Sequence, residues 1–263
     1  MKNNLTNNKM LTIALLFIFK ANGLTADNLN GLQVVQKAYN KPEPKTQQAV
    51  LKMTLVSSSG GKRERILKQF VSNNGKTEKK IMFFEKPSDV RDTSFMNFSY
   101  DNGKPDDQWI YLPALKRVKR ISNDSKGDYF MGSDFTYDDL GDRNPNDDNH
   151  QILKEEILKN ENCYVVVSTP KDKNYMYSKT VTWIIKDKWL VMKKVFYDTD
   201  GNLLKTLTMT GHEKINGYWI RTGSEMINEQ TKHETIMKLS NIKVNVSIPD
   251  SYFSERRMKR GIK

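Results

Sequence analysis

Cysteine is almost absent from this sequence, since Cys163 is the only one among 263 residues. A single cysteine excludes an internal disulfide. The three histidines, His150, His212 and His233, are isolated from one another and form no HExxH motif, and zinc sites normally take several His or Cys ligands. There is also no Gly-rich phosphate loop and no GxSxG nucleophile motif. The sequence therefore predicts no enzyme activity, no catalytic residue, no cofactor and no metal.

Long hydrophobic runs are also missing, except near the beginning of the chain. Residues 10–19 ("MLTIALLFIF") are apolar throughout, but a membrane span needs about 20 such residues. The run follows Lys2 and Lys9 and precedes small residues, a pattern typical of a secretory signal. We expect residues 1–26 to be a signal peptide, cleaved after Gly23 or Ala26, and no lipid anchor, because no cysteine follows the run. The expected product is a periplasmic protein with one domain, residues 27–263.

Acidic residues are fewer than basic ones, 31 against 43, which gives a formal net charge of +12. The charge becomes +9 when the lysines of the signal leave with it. In an exported protein this excess favours anionic lipid headgroups or an acidic protein as partner, rather than nucleic acid. The alternative is that lysine simply covers a soluble surface.

Helix signals are few. Residues 27–39 begin with capping residues, carry apolar side chains near helical spacing, and end at "KPEP", where proline stops a helix. A second, short helix is predicted after Ser133 as N-cap, with Asp134 in its first turn and Gly141 after its end.

Most other segments alternate between apolar and polar residues and are separated by turn sequences. Gly60-Gly61, Asn74-Gly75 and Asn216-Gly217 are typical of turns between antiparallel strands. The segment "ILKEEILKNEN" could be a helix by composition, but its end resembles a turn, which favours two strands. The pattern predicts a mainly β protein of roughly nine to eleven strands, and a sheet of that size closes, splits or curls.

Residues 129–140, "YFMGSDFTYDDL" (the central segment), combine large apolar side chains, a Gly-Ser break and three acidic residues, Asp134, Asp138 and Asp139. These acids do not follow the spacing of a calcium-binding EF-hand loop and are typical of turns and helix caps. Upstream, Trp109 and Tyr111 alternate along a strand that is apolar on both faces, and a basic stretch, "LKRVKRIS", follows it.

The stretch from residue 109 to 140 closely resembles the outer-membrane lipoprotein-sorting protein family, exported relatives of the periplasmic lipoprotein carrier LolA. Weaker similarity covers "KPSDVRDTSFM" and "IPDSYFSERRM", so the resemblance extends over most of the chain. The matching positions are Trp109, Tyr111, Leu112, Pro113, Arg117, Arg120, Ile121, Phe130, Met131, Gly132, Ser133, Asp134, Phe135, Tyr137, Asp139 and Leu140.

The resemblance implies a LolA/LolB-like fold, a curved antiparallel half-barrel whose concave face is plugged by a few helices around an apolar cavity. It implies a monomeric periplasmic carrier that binds a lipid or a lipoprotein acyl chain without covalent chemistry. The alternative is a lipid-sensing or adaptor subunit of an envelope transporter complex. Expected partners are the acyl chain, an anionic membrane surface, and an inner-membrane transporter of the RND or MMPL type.

Two groups of candidate site residues follow. Arg117 and Arg120 are interpreted either as ion-pair partners of Asp134 and Asp139 or as contacts to a lipid headgroup. Large apolar side chains are suited to line or cover a cavity for an acyl chain, because they are broad or adaptable and mostly lack polar atoms. The predicted cavity or lid residues are Trp109, Tyr111, Leu115, Phe130, Met131, Phe135, Tyr137 and Trp183.

Overall fold

The computed structural model describes residues 29–262. The predicted signal peptide, residues 1–26, lies outside the described residues. Within them, helix α1 is Gly31–Tyr39, as the sequence predicts, and its N-cap Asn30 forms a reciprocal capping box with Gln33. Helix α2, Glu255–Arg260, begins after the N-cap Ser254.

The fold is mainly β, which confirms the predicted class, although the described residues contain thirteen strands rather than nine to eleven. One of the additional strands is the short β6, Arg117–Arg120, which forms from the basic stretch that follows the predicted strand with Trp109 and Tyr111. Strands β1 to β13 are Thr46–Val56, Lys62–Asn73, Thr77–Lys86, Ser94–Tyr100, Asp107–Leu112, Arg117–Arg120, Asp148–Leu158, Glu161–Pro170, Lys179–Ile185, Val191–Tyr197, Leu203–Ile215, Tyr218–Asn228 and Glu234–Val244.

All thirteen strands belong to one antiparallel sheet made of two meanders. Strands β1–β6 form one and β7–β13 the other, and the two are joined because β1 pairs with β13. The sheet is not closed, since its order begins with β6 and ends with β7. The segment "ILKEEILKNEN" forms two strands, β7 and the beginning of β8, as favoured above.

Predicted turns connect the hairpins. At the tip between β11 and β12, Asn216 and Gly217 have φ of 48° and 88°. Positive φ at both central residues is the requirement of a type I′ turn, which matches the twist of antiparallel strands.

The two faces of the sheet have different coverings. We call the face that packs on the central segment the inner face; on β1 it carries Leu51, Met53 and Leu55. The outer face of β3–β6 carries a second apolar cluster around Phe83 and Met96, and helix α2 covers it through Met258. Only α1 of the two helices therefore covers the inner side. No helix within residues 29–262 is long and apolar enough to cross a lipid bilayer.

Candidate binding cavity

The central segment crosses the inner side of the sheet and fills one end of it. It bends back on itself, because Tyr129 pairs with Thr136 and the Phe130 N–H donates to the Phe135 carbonyl oxygen at 2.7 Å. Phe130 packs among apolar residues of the β1–β4 half, and Phe135 packs among those of the β10–β12 half. The segment thus links the two meanders through a solid core.

The predicted short helix after Ser133 is wrong. Met131 and Gly132 have φ of 50° and 70°, and this left-handed pair reverses the chain instead of starting a helix. Ser133 is extended, and its hydroxyl accepts a hydrogen bond from the Phe135 N–H at 3.3 Å. Only single 3₁₀ turns occur, at Phe130–Gly132 and Asp138–Leu140. A tight reversal holds the two phenylalanines close enough to enter opposite halves of the core.

Two carboxylates of the central segment anchor it to the β10–β13 side. Asp134 accepts hydrogen bonds from the Thr235 hydroxyl at 2.6 Å and lies 2.7 Å from Nδ1 of His233. Asp139 forms an ion pair of 2.5 Å with Lys205, whose side chain is fully buried. The Tyr177 hydroxyl donates to Asp139 at 3.0 Å.

The proposed ion pairs from Arg117 and Arg120 to these acids are therefore wrong. Arg120 pairs with Asp107 on the neighbouring strand, and Arg117 is exposed on the edge strand β6. Sequence reasoning chose the nearest bases in the chain, but the sheet brings His233 and Lys205 to the segment from about a hundred and about seventy residues away.

Burial shifts the pKa values of the polar groups around the anchor. Burial and the neighbouring Asp139 raise the pKa of Tyr177 well above its usual value. Burial also raises the pKa of Asp138, although a hydrogen bond from Tyr175 opposes the shift. The tyrosines consequently remain protonated and act as hydrogen-bond donors to the carboxylates.

The other end of the inner side is hollow. A cavity of about 1140 Å³ lies between α1 and the inner faces of strands from both meanders. Its apolar wall is formed by Val35, Ala38, Val71, Ile184, Trp189, Leu190, Val191, Leu207, Met209, Trp219, Ile220 and Leu239. This volume is slightly above the range of roughly 300–1,000 Å³ that is typical of ligand pockets.

Helix α1 covers the cavity from the side of β7–β9. Val34 is fully buried against Val166 and Ile184, while Val35 and Ala38 contribute to the cavity wall. Gly31 permits this position, because a Cβ there would lie 2.6 Å from the backbone carbonyl of His150. The helix therefore packs on the sheet backbone with no room for a side chain at its first residue.

The cavity wall is not uniformly apolar. Lys80 lies 3.2 Å from Glu78, and Arg143 makes two hydrogen bonds of 3.0 Å from Nε to the Asp148 carboxylate. Burial raises the pKa of Glu78, although Lys80 opposes the shift. The remaining polar and charged wall residues include Gln47, Gln69, Asp142, His150, Ser168, Thr180, Thr182, Lys194, His212 and Arg221.

Within residues 29–262, no three His, Cys, Asp or Glu side chains are grouped in a way that could hold a metal ion. His150 is engaged instead with Ser168 at 2.8 Å and with the Pro145 carbonyl oxygen at 2.7 Å. The cavity thus combines an apolar wall with charged groups, which is the character of a site for an amphiphile.

Comparison with known proteins agrees with this architecture. An outer membrane lipoprotein-sorting protein domain from Vibrio parahaemolyticus is 33% identical, with a TM-score of 0.82 over 88% of this chain and 98% of that one. A family model described as "uncharacterized protein" matches residues 76–260. The chain belongs to the outer-membrane lipoprotein-sorting protein family.

Two further solved structures share the fold of this chain. A DUF1329 family protein from Desulfovibrio piger is 28% identical, with a TM-score of 0.81 over 87% of this chain and 97% of that one. A LolA superfamily protein from Nitrosomonas europaea is 19% identical, with a TM-score of 0.66 over 87% and 99%, and so shares the fold. The search of curated proteins gave no match.

The predicted lid residues do not line the cavity. Phe130 and Phe135 are buried in the core, and Met131 and Tyr137 pack against the Phe130 cluster. These residues were predicted to form a lid because their side chains are large and apolar, but such side chains are equally typical of a packed core.

The other predicted cavity residues lie elsewhere. Trp109 and Tyr111 are on the outer face, in the cluster that α2 covers, and therefore on the opposite side of the sheet from the cavity. Leu115 is 68% exposed. Trp183 alternates with the wall residues Thr182 and Ile184, so it points to the outer face.

Sequence reasoning missed the charged wall residues Lys80, Lys194 and Arg221. One signal was present: "KK" occurs inside two strands, at 79–80 and at 193–194. Side chains alternate along a strand, so one lysine of each doublet must point to the same face as the buried apolar residues.

Proposed function

We propose that the protein is an exported, periplasmic carrier that holds the acyl chain of a lipid or lipoprotein in the cavity beneath α1. Two observations support this: membership in the lipoprotein-sorting family and a cavity of about 1140 Å³ whose wall includes many apolar side chains. The cavity is the observation that carries the proposal, because a packed interior would leave no space for a chain. Export rests on the signal-like pattern of residues 1–26.

The apolar wall supplies the affinity. Transfer of an acyl chain out of water gains about 0.8 kcal/mol per methylene, or on the order of 13 kcal/mol for sixteen carbons. Wall residues such as Leu207 and Met209 on β11 and Leu239 on β13 come from the sheet, and α1 covers the cavity from the side of β7–β9. A ligand held by burial alone can leave intact, so transfer requires no covalent step.

A basic surface is suited to dock the carrier on a membrane. Edge strand β6 and helix α2 share one apolar cluster through Val118 and Met258. We define the basic edge as Lys116, Arg117, Lys119, Arg256, Lys259 and Arg260, all of them exposed. Clusters of four to eight basic residues bind anionic lipid surfaces, and the exposed Leu115 beside them can enter the headgroup region. This surface supports the anionic membrane as a partner.

The same basic edge favours the second candidate, a lipid-sensing or adaptor subunit that docks on an envelope transporter. The two functions differ in release. A carrier gives its lipid to acceptor vesicles or to an acceptor protein, whereas a sensor keeps it bound. Incubating the loaded protein with acceptor vesicles and measuring the lipid that remains separates the two.

The central test asks whether the cavity holds the ligand. Native mass spectrometry of the protein extracted from the periplasm should detect bound lipid by its mass. We expect Leu239→Trp, which adds bulk on the cavity wall, to lose most of this lipid. Lys238→Trp adds the same bulk on the outer face of the same strand and should retain it.

Circular dichroism and thermal unfolding verify that both variants are folded. Equal lipid content in Leu239→Trp and Lys238→Trp would show that lipid binds elsewhere. Absence of co-purifying lipid, together with no uptake from donor vesicles, would refute the carrier function.

A further inference from the structure

Two basic side chains on the cavity wall, Lys194 and Arg221, lie on strands of the sheet. Lys194 is on the inner face of β10, where it pairs across the sheet with Thr182 and Leu207, both wall residues. Arg221 lies near the beginning of β12, opposite His212, and is exposed to the cavity. Both are therefore directed at the space in which a ligand would lie.

Neither of these cations has an ion pair. Lys80 and Arg143 are each bridged to a wall carboxylate, but within residues 29–262 no carboxylate oxygen lies within 4 Å of the Lys194 ammonium or the Arg221 guanidinium. The Lys194 ammonium lies 5.1 Å from the ring centre of Phe196, an apolar neighbour. Among the lysine and arginine side chains that strands contribute to this wall, Lys80 is paired, whereas Lys194 and Arg221 have no carboxylate of the described residues within 4 Å.

The acids around Lys194 already have partners. Asp139 is bound to Lys205 and Tyr177, and Asp148 is bound to Arg143. Burial lowers the pKa of Lys194, although Asp139 and Asp148 oppose the shift. Arg221 is more exposed, and its acidic neighbours are Asp142, Glu43 and Glu78. A cation removed from bulk water is costly unless an anion or a hydrogen-bond acceptor compensates it, and a ligand can supply that group.

We propose that the cavity takes an anionic amphiphile, whose phosphate or carboxylate group is attracted by the unpaired wall cations Lys194 and Arg221 while its chain lies on the apolar wall. This inference rests on the proposed carrier function and names its ligand class. The planar guanidinium of Arg221 suits two parallel hydrogen bonds to such a group, and Lys194 supplies a compact charge. The headgroup contact is thereby assigned to the cavity, not to Arg117 and Arg120 on the edge strand.

The test compares twelve-carbon ligands that differ in their polar head group. The neutral fluorophore N-phenyl-1-naphthylamine is bound to the full mature protein and then displaced by dodecyl phosphate, dodecanoate or dodecanol. Inorganic phosphate alone is a fourth competitor, which distinguishes a lipid headgroup from a free anion. The measurement is repeated with Lys194→Gln, Arg221→Gln and the double variant. Lys238→Gln removes the same charge from the outer face and is the control.

We expect the two anionic compounds to displace the fluorophore at about tenfold lower concentration than dodecanol, because charge-assisted hydrogen bonds are stronger than neutral ones. This advantage should decrease in each single variant and disappear in the double variant. It should be unchanged in Lys238→Gln, and inorganic phosphate should displace nothing.

Equal displacement by dodecanol and dodecyl phosphate would overturn the inference while leaving the carrier function intact. The inference would also be overturned if the anionic compounds still displaced the fluorophore at lower concentration than dodecanol in the double variant. Displacement of the fluorophore by inorganic phosphate, at the concentration at which dodecyl phosphate displaces it, would identify a site for a free anion. It would overturn the inference that the ligand is an amphiphile. If no alkyl compound binds, the carrier function fails and the inference fails with it.

Discussion

Single residues of the same apolar type have opposite environments in this protein. Phe130 and Leu115 were both predicted to line or cover the cavity, but Phe130 is 0% exposed in the core and Leu115 is 68% exposed. Phe130 contacts the rings of Phe84 and Phe95 at centroid distances of 5.9 and 5.2 Å. Its role is to hold the central segment on the sheet.

Replacing Phe130 with alanine should therefore destabilise the protein without removing its ligand. We expect Phe130→Ala to lower the free energy of unfolding by about 3–5 kcal/mol, because it removes a large buried ring and leaves a cavity. Leu115→Ala is the control and should change it by no more than about 0.5 kcal/mol. Urea denaturation measures both. Lipid content per folded molecule should stay unchanged in Phe130→Ala, and a selective loss of lipid would support a lid role instead.

Among the elements, edge strand β6 is the shortest of the sheet, with only four residues. An ion pair between Arg120 on β6 and Asp107 on β5 joins it to its neighbour. Asp107 also accepts hydrogen bonds from Lys104 at 2.7 Å and from the Tyr100 hydroxyl at 2.8 Å. One carboxylate thus connects the edge strand, the preceding loop and β4.

The Asp107 carboxylate makes the stability of the protein depend on pH. Burial alone would raise the pKa of Asp107, but hydrogen bonds from Lys104, Tyr100 and Arg120 outweigh it and lower the pKa to about 2. An unfolded aspartate titrates near 3.9. A lowered pKa in the folded state stabilises the protein above about pH 4, and this contribution is lost as the pH decreases towards 2.

We therefore expect Asp107→Asn to be less stable than the wild-type protein at pH 7, with a difference that decreases between pH 4 and pH 2. Urea denaturation at several pH values measures this difference. Asp187→Asn, at an exposed turn, serves as control and should show no such trend. A constant difference at every pH would contradict the assigned pKa.

The whole molecule is an open sheet with a cavity on its inner side and a basic edge outside it. The sheet order ends at β6, and α2 packs beside this edge on the outer face. Docking through the basic edge would therefore leave the cavity wall free to hold a ligand. Membrane attachment and ligand binding are expected to be separable properties.

Vesicle binding tests this separation. We expect the protein to sediment with vesicles containing phosphatidylglycerol but not with phosphatidylcholine vesicles, and to dissociate as salt increases. Arg117→Gln/Lys119→Gln should weaken this binding about tenfold or more, since each basic residue contributes about 1 kcal/mol near an anionic surface. Lys238→Gln/Lys243→Gln changes the charge equally on another strand and should bind more tightly than the edge variant. Equal weakening in both variants would indicate attraction by net charge alone.

The sequence by itself determined the class of the fold and the family. Alternation with period two and turn pairs such as Asn216-Gly217 predict antiparallel hairpins, because these are local properties of the chain. Helix α1 was predicted for the same reason, from its capping residues and the following prolines. The family resemblance came from a contiguous block around the central segment.

Only the tertiary structure decided which residues face the cavity. Alternation defines two faces of a strand but not which one is inner, and β3–β5 are apolar on both. That choice depends on the pairing of β1 with β13 and on the central segment that both meanders pack against. The arrangement of the sheet brings Lys80, Lys194 and Arg221 from three different strands to one wall of the cavity. The charges of the site therefore follow from long-range packing and not from a local sequence motif.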